Sequence, residues 1–293
     1  VWYTLVRERI EYSKTVEAIR CTKEATLVIE RNEVYAGDGV KLMRQMRQQT
    51  VDLTITSPPY GNLRNYGGYQ FDYRAMIRGL YRVTKEGGVV VWVVNDTTIK
   101  GNETGTSFKH ALYFKEVGFN LHDTMIWIKD GGGAVGSNKC YAQNFEYMFV
   151  FSSGSPTTVN LIKDKRNLKE MDAQRPWARR TRKKSIYTKV GRRTKDGIKL
   201  LESRPTPSAY SKRNNWWYMI PGNYSSVGDH PAVFPLKLVT DHVLTWSNEG
   251  DLVFDPMCGS GTTLLAAVEN KRDYLGIDIS EKYRELACKR VGN

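Results

Sequence analysis

Ser57-Pro58-Pro59-Tyr60 places a hydroxyl, a carbonyl without a competing N–H neighbour and an aromatic ring in four consecutive positions. The apolar run Val51–Thr56 ahead of it reads as a buried strand. Two prolines cannot continue a sheet ladder, so the chain must leave the sheet there in a rigid, extended turn. In open α/β sheets ligands bind at the carboxyl ends of strands. Such a corner suits a flat, amine-bearing substrate. The Tyr60 ring would stack on it, while the Ser57 hydroxyl and a backbone carbonyl would hold the amine. A proline-terminated strand with a packed tyrosine has the same residues, so this corner alone leaves both readings open.

A second stretch, Asp251–Ala267, reads DLVFDPMCGSGTTLLAA. An apolar strand runs into a glycine-rich turn, and the turn into an amphipathic helix. Gly259 and Gly261 allow positive φ and close approach of a ligand to the backbone. Thr262 or Thr263 is expected to cap the helix, whose N-terminus favours a negative group such as a ligand carboxylate. Asp255 at the strand end is placed to hold a ligand ammonium. Arg272–Asp278 then reads as a second strand ending in an acid, 17 residues past Gly261. An acid at that tip is placed to take two ribose hydroxyls. A lone GxG occurs in many generic turns; the order strand, GxG, helix, strand, acid is more specific.

Together these residues resemble the amino-methylating DNA methyltransferases. TSPPY (Thr56–Tyr60) is similar to that family's catalytic motif, and FDPMCGSGTT (Phe254–Thr263) to its S-adenosylmethionine motif. Gly37-Asp38-Gly39 resembles a GD motif at the cofactor's adenine, and His230-Pro-Ala-Val-Phe234-Pro the HPAxFP segment. The catalytic motif precedes the cofactor motif, which resembles the permuted β group, where a target-recognition region lies between the two. The resemblance implies catalytic Ser57, Pro58, Pro59 and Tyr60. It implies a cofactor set of Asp38, Phe234, Asp255, Gly259, Ser260, Gly261, Thr262 and Asp278. It further implies methyl transfer from S-adenosylmethionine to the exocyclic amine of a base flipped out of double-stranded DNA. The family's adenine enzymes mostly carry Asp or Asn at the first motif position, and its cytosine-N4 enzymes mostly Ser. Ser57 therefore points to cytosine N4, with adenine N6 as the alternative. A homodimer and a restriction endonuclease partner are possible partners of such an enzyme.

The charge distribution fits a polyanionic partner. The chain of 293 residues carries a net charge of +13, and Leu161–Asn215 alone holds 18 Lys/Arg against 5 Asp/Glu. All the excess positive charge therefore lies in that segment, and the remainder is neutral. Arg179, Arg180, Arg182, Lys183, Lys184, Arg192 and Arg193 form its densest clusters, with Trp177, Tyr187 and Tyr210 between and beyond them. A basic stripe with interleaved aromatics fits a phosphate-binding surface; a solvated loop is the alternative. A small-molecule substrate would need no such field. An RNA substrate and a non-catalytic DNA-binding relative remain as competing functions. The intact Asp255, Gly259, Gly261, Asp278 and SPPY argue against the second.

The elements needed to position these residues alternate between β and α character. Strands are expected at Thr26–Val34, Val51–Thr56, Val89–Val94, Leu121–Ile128 and Phe145–Phe151, the last two as antiparallel end strands. Helices are expected around Val40–Met46 and over Tyr73–Val83, Thr106–Val117 and Phe234–Trp246, with a final helix from Glu281. Asn95-Asp96 ends a strand, either facing the pocket or forming a turn and helix cap. The loop Gly131–Lys139 either closes over DNA or connects strands. This pattern predicts an α/β fold, a doubly wound and mostly parallel Rossmann-like methyltransferase sheet with an inserted basic target-recognition region. Its parts are an N-terminal extension (1–24), the catalytic half of the core (25–151), the basic insertion (152–215) and the cofactor half (216–293). No apolar run approaches the ~20 residues of a membrane helix, and no secretory leader pattern is visible. Four scattered cysteines and four histidines form no metal or disulfide framework, which fits a cytosolic setting; the resemblance implies a cytoplasmic place of prokaryotic or phage-like type, or wherever DNA resides. Cys258 reads as a small buried thiol.

Overall fold

The strand Thr84–Val94 shows how the core is divided. Val89, Val91 and Val93 point into one apolar cluster and Val90, Trp92 and Val94 into another, all with 1% exposure or less. Alternate residues of a strand face opposite sides, so both faces of this sheet must be covered. The structure is a computed structural model that describes residues 29–59, 71–129, 141–166, 191–194, 197–200, 210–220 and 234–292, with 191–200 as backbone only.

In chain order the elements begin with β1 (Glu33–Ala36), α1 (Gly39–Gln45), β2 (Val51–Thr56), α2 (Tyr73–Val83) and β3 (Thr84–Val94). They continue with the short pair β4 (Thr98–Ile99) and β5 (Asn102–Glu103), then α3 (Thr106–Val117), β6 (Asn120–Ile128) and β7 (Phe145–Ser152). Next come β8 (Lys165–Arg166), β9 (Gly191–Thr194), β10 (Gly197–Leu200), β11 (Tyr210–Ser211) and β12 (Trp216–Tyr218). The chain closes with α4 (Leu236–Trp246), β13 (Leu252–Asp255), α5 (Thr262–Glu269), β14 (Asp273–Asp278) and α6 (Glu281–Val291).

Eight strands form one sheet in the order β1-β14-β13-β2-β3-β7-β6-β12. All neighbouring pairs are parallel except those made by β7, which is the one reversed strand of this sheet. Helices α4, α5 and α6 contribute to the apolar cluster on one face, and α1, α2 and α3 to that on the other. The doubly wound, mostly parallel α/β architecture is therefore present. From β13 the chain crosses through α5 to β14 on one side; from β2 it crosses through α2 to β3 on the other. The direction of winding reverses between β13 and β2, which makes the gap at their carboxyl ends the topological switch point where such sheets bind ligands.

Three expectations need correction. The first strand is Glu33–Ala36 rather than Thr26–Val34; residues 21–28 lie outside the described residues, and 29–32 are not strand. Its place is set by pairing with β14, which aligns Ala36 with Asp278, not by the apolar content of the earlier segment. β6 and β7 pair antiparallel but do not end the sheet, because β12 adds parallel to β6 as the edge strand. The basic segment is also shorter than 152–215. The chain divides into one compact unit of Val1–Asn160 with Asn215–Asn293 and a second of Leu161–Asn214. Residues 152–160 belong to the first, held by Thr157 N–H donating to the Gly87 carbonyl (3.0 Å) and Asn160 N–H to the Thr245 carbonyl (2.8 Å).

The second unit contains two short antiparallel pairs among its described residues, β8 with β11 and β9 with β10. Arg192 and Arg193 lie on β9, aligned with Lys199 and Ile198. The cluster Arg179–Lys184, the loop Gly131–Lys139 and residues 1–24 lie outside the described residues. Among the described residues no helix is long and apolar enough to cross a membrane.

Candidate active site

Four chain turns meet at the carboxyl ends of β1, β14, β13 and β2. β2 delivers Ser57 and Pro59, both half-buried, and the buried Pro58 directly after its last residue. Tyr60 lies outside the described residues. β13 ends at Asp255 and leads through Pro256–Gly261 into α5. Gly259 (φ 50°) and Gly261 (φ 75°) adopt left-handed conformations there, which glycine takes without steric cost. Gly261 also packs so closely on α6 that a Cβ would lie 2.8 Å from that of Ala287.

The helix start departs from expectation. Neither threonine caps α5; Gly261 is the N-cap residue and no side-chain cap bond is made. The threonine hydroxyls are used elsewhere. Thr263 donates to the Ile55 carbonyl of β2 (3.3 Å), and the Thr262 hydroxyl accepts from the Arg290 guanidinium (3.0 Å). The same Arg290 Nη1 reaches the Ser260 carbonyl (2.8 Å) and hydroxyl (3.1 Å). One cation on the last turn of α6 thus clamps both residues that flank Gly261. Sequence reasoning passed over Arg290, because a basic residue at a helix C-terminus reads as an ordinary surface charge.

The two acids hold the turns together. Asp278 accepts from Gly259 N–H through Oδ2 (2.8 Å) and from Ser280 N–H through Oδ1 (2.9 Å). Asp255 Oδ1 accepts from the Thr56 hydroxyl (2.7 Å) and Met257 N–H (3.1 Å). Burial pushes both carboxyls up, that of Asp255 to about 7, against the opposing hydrogen bonds. Each carboxylate offers about four acceptor positions, so the bonds named leave capacity for a ligand. Among the described residues neither acid has a cationic partner. Buried acids without a counter-charge fit a ligand that brings its own positive charge.

The GD turn joins the same end of the sheet. Gly37 N–H donates to the Asp278 carbonyl (2.8 Å), and a Cβ on Gly39 would meet the Pro256 carbonyl at 2.7 Å. Asp38 is the N-cap of α1, accepting from Val40 N–H (2.8 Å) and Lys41 N–H (3.2 Å). Phe234 is half-buried and packs on the apolar cluster beneath α4; residues 230–233 lie outside the described residues. Asp38, Asp255, Gly259, Ser260, Gly261, Thr262 and Asp278 are thus brought to one end of the sheet.

Asn95-Asp96 takes the capping role of the two open readings. Asp96 accepts from Ser107 N–H (3.1 Å), from the Ser107 hydroxyl and from Thr104 Oγ1 (3.3 Å), tying β3 to the start of α3. Asn95 donates to the Phe145 carbonyl (3.0 Å) and accepts from Gln143 Nε2 (3.1 Å). Cys258 is a buried thiol whose pKa burial pushes well up, which leaves it protonated and inert. Among the described residues no cluster of three or more His, Cys, Asp or Glu side chains could hold a metal.

Comparison with known proteins agrees with this geometry. Residues 51–289 match the DNA methylase family N6_N4_Mtase. The orphan methyltransferase M.BamHII of Bacillus amyloliquefaciens is 50% identical over 251 residues, covering 83% of this chain and 89% of that protein. PvuII DNA methyltransferase, cytosine-N4-specific, shares the fold with a TM-score of 0.63 at 18% identity, over 90% of this chain and 87% of its own. A DNA modification methylase from Thermus thermophilus, solved in complex with S-adenosylmethionine, aligns with a TM-score of 0.57 at 22% identity, over 89% and 95% of the two chains. With catalytic-type corner, glycine turn and paired acids at one switch point, the chain belongs to the S-adenosylmethionine-dependent DNA methyltransferases of the N4/N6 amino family.

Proposed function

We propose that the protein methylates the exocyclic N4 amine of a cytosine flipped out of a specific duplex DNA sequence. The observation that carries this reading is the position of Ser57. It follows Thr56, whose hydroxyl is bonded to Asp255 of the cofactor strand at 2.7 Å. The serine corner therefore stands beside the glycine turn at the switch point. Serine at this place is the residue that resembles the family's cytosine-N4 enzymes.

Bound S-adenosylmethionine supplies a methyl group on a sulfonium already activated for transfer. The protein's task is to bind, orient and exclude water. In this reading Asp255 takes the cofactor's ammonium, Asp278 its ribose hydroxyls and Asp38 lies toward its adenine, while Gly259 and Gly261 admit it close to the backbone. Tyr60 stacks on the extruded base, which must leave the duplex to be reached. The Ser57 hydroxyl and the Pro58 carbonyl accept hydrogen bonds from the amine or ring edge and bring the nitrogen lone pair into line for attack. No strong base is needed first, because the methylated nitrogen is acidic and sheds its proton afterwards. Arg179, Arg180, Arg182, Lys183, Lys184, Arg192 and Arg193 bind phosphates along the duplex.

The test is methylation of unmethylated genomic DNA in vitro, with N4-methylcytosine and N6-methyladenine mapped at base resolution. N4-methylcytosine in a fixed sequence context is expected. N6-methyladenine alone would replace the cytosine assignment while leaving the fold and cofactor assignments intact, and transfer confined to matched RNA would replace the duplex-DNA assignment.

A further inference from the structure

The backbone ladder between the two functional strands stops early. β2 and β13 pair at Leu53 with Val253 and at Thr54 with Phe254, and no further. On its other side β2 stays paired with β3 up to Thr56, opposite Trp92. The sheet thus opens between β2 and β13 just before Ser57 and the glycine turn. Across that opening the Thr56 hydroxyl donates to Asp255 Oδ1 at 2.7 Å. Both side chains are buried, Thr56 at 0% and Asp255 at 3% exposure. Thr263 adds a longer tie from α5 to the Ile55 carbonyl, at 3.3 Å.

A hydroxyl has a single proton to donate, and this one goes to an acceptor on the neighbouring strand rather than to the threonine's own backbone. The bond is short and buried, the setting in which a hydrogen bond is strong and directional. We propose that Thr56 is a positioning residue for methyl transfer: its hydroxyl, tied to Asp255 beyond the last backbone pair of β2 and β13, fixes the spacing between the Ser57 corner and the glycine turn. The inference rests on the methyltransferase reading of those two turns. It gives Asp255 a second task, because the carboxyl that holds the catalytic strand through Oδ1 also stands at the end of the cofactor strand. Transfer depends steeply on the separation and alignment of the reacting groups, and a displacement of about 1 Å can cost on the order of a hundredfold. Binding of each partner alone depends on one turn at a time and is far less sensitive to their spacing.

The decisive variants are Thr56→Val, which keeps the side chain's shape and removes the donor, and Thr56→Ser, which keeps the donor. Thr56→Val is expected to lower single-turnover transfer at saturating cofactor and DNA by about tenfold or more, the size of one missing buried hydrogen bond. S-adenosylmethionine affinity, measured by calorimetry without DNA, should stay within about twofold by the same argument. Thr56→Ser should recover most of the rate. A parental rate in Thr56→Val, a loss of cofactor affinity as large as the loss of rate, or no recovery in Thr56→Ser would each overturn the proposal. A separate readout needs no turnover. In a double-mutant cycle on unfolding of the cofactor-free protein, Thr56→Val should shift the equilibrium by about tenfold with Asp255 present and by far less in an Asp255→Ala background. Additive effects would overturn the tie. If the parental protein methylates no nucleic acid, the functional reading fails, and this cycle still decides whether the two strand ends are coupled.

Discussion

The glycine turn at the end of β13 and the basic segment Leu161–Asn214 differ in how they can grip a ligand. The turn is built from directed bonds that are buried (Asp278 to Gly259, Asp255 to Thr56) or part-buried (Asp278 to Ser280, Asp255 to Met257, Arg290 to Ser260 and Thr262). The basic segment, counted through Asn215, carries 18 positive against 5 negative side chains. Its described side-chain bonds, such as Arg213 with Asp164 and Lys165 with Asn214, are exposed. A small cofactor must be held to within a fraction of an ångström, which requires preorganised polar groups shielded from water. A polyanion is attracted by a field that tolerates variation in geometry. The two functions should therefore come apart under mutation.

The largest separation is expected from replacing Arg179, Arg180, Arg182, Lys183 and Lys184 with glutamine. Each phosphate partner removed should lower the log–log salt slope of DNA binding by about 0.9, a total of about 4 to 5 if all five engage phosphate. Cofactor affinity by calorimetry should not change. A parental slope would make the cluster a solvated face and remove one side of the comparison.

A second test addresses what it takes to bury the turn's acids. The Asp255 carboxyl rises from 3.8 to about 7 in the folded protein, chiefly through burial, with the Asp278 charge adding a little. The folded state then binds a proton that the unfolded chain has released, so cofactor-free stability falls as pH rises from near 4 to near 7. The loss is on the order of 1.4 kcal/mol per pH unit. Asp255→Asn keeps an acceptor for Thr56 and should remove this decline, so its advantage over the parent in chemical denaturation should grow with pH across that window. A pH-independent difference would mean that Asp255 is ionised throughout.

Smaller effects are expected from the turn's individual ties. Asp278→Ala removes an acceptor shared by Gly259, Ser280 and, in the proposed reading, the cofactor. Charge-assisted bonds are worth about 1.5–3 kcal/mol, so cofactor affinity should fall at least tenfold while the DNA salt slope is unaffected. Arg290→Met leaves the turn's backbone in place but removes its clamp. It should weaken cofactor binding by several-fold, on the order of 1 kcal/mol. Equal affinity in calorimetry would show that Gly261 and Ala287 packing alone suffices.

Sequence patterns make most elements legible, because periodicity and punctuation are local. Val51–Thr56, Tyr73–Val83 and Thr106–Val117 coincide with a strand and two helices. Two prolines after Thr56 and glycines at 259 and 261 mark ends that no tertiary contact could overrule. The first strand departs from its expected place because the expectation followed the consecutive apolar residues Leu27–Ile29, while the strand described at Glu33–Ala36 is the one that β14 pairs with. The Thr262 and Thr263 hydroxyls depart from a capping role for a related reason. Their cap propensity is real, but Arg290 and the Ile55 carbonyl compete for them from distant parts of the chain.

The sequence by itself determined the chemistry on offer: a serine–proline corner, a glycine turn, two strand-end acids and a segment holding all the excess positive charge. These are properties of residue type and short spacing. Only the tertiary structure decided that β2 and β13 are neighbours wound in opposite directions, although their ends lie 199 residues apart at Thr56 and Asp255. It also decided that Arg290 reaches the turn across 30 residues. Strand order and side-chain partners across such separations come from packing both faces of one sheet at once, which no local pattern encodes.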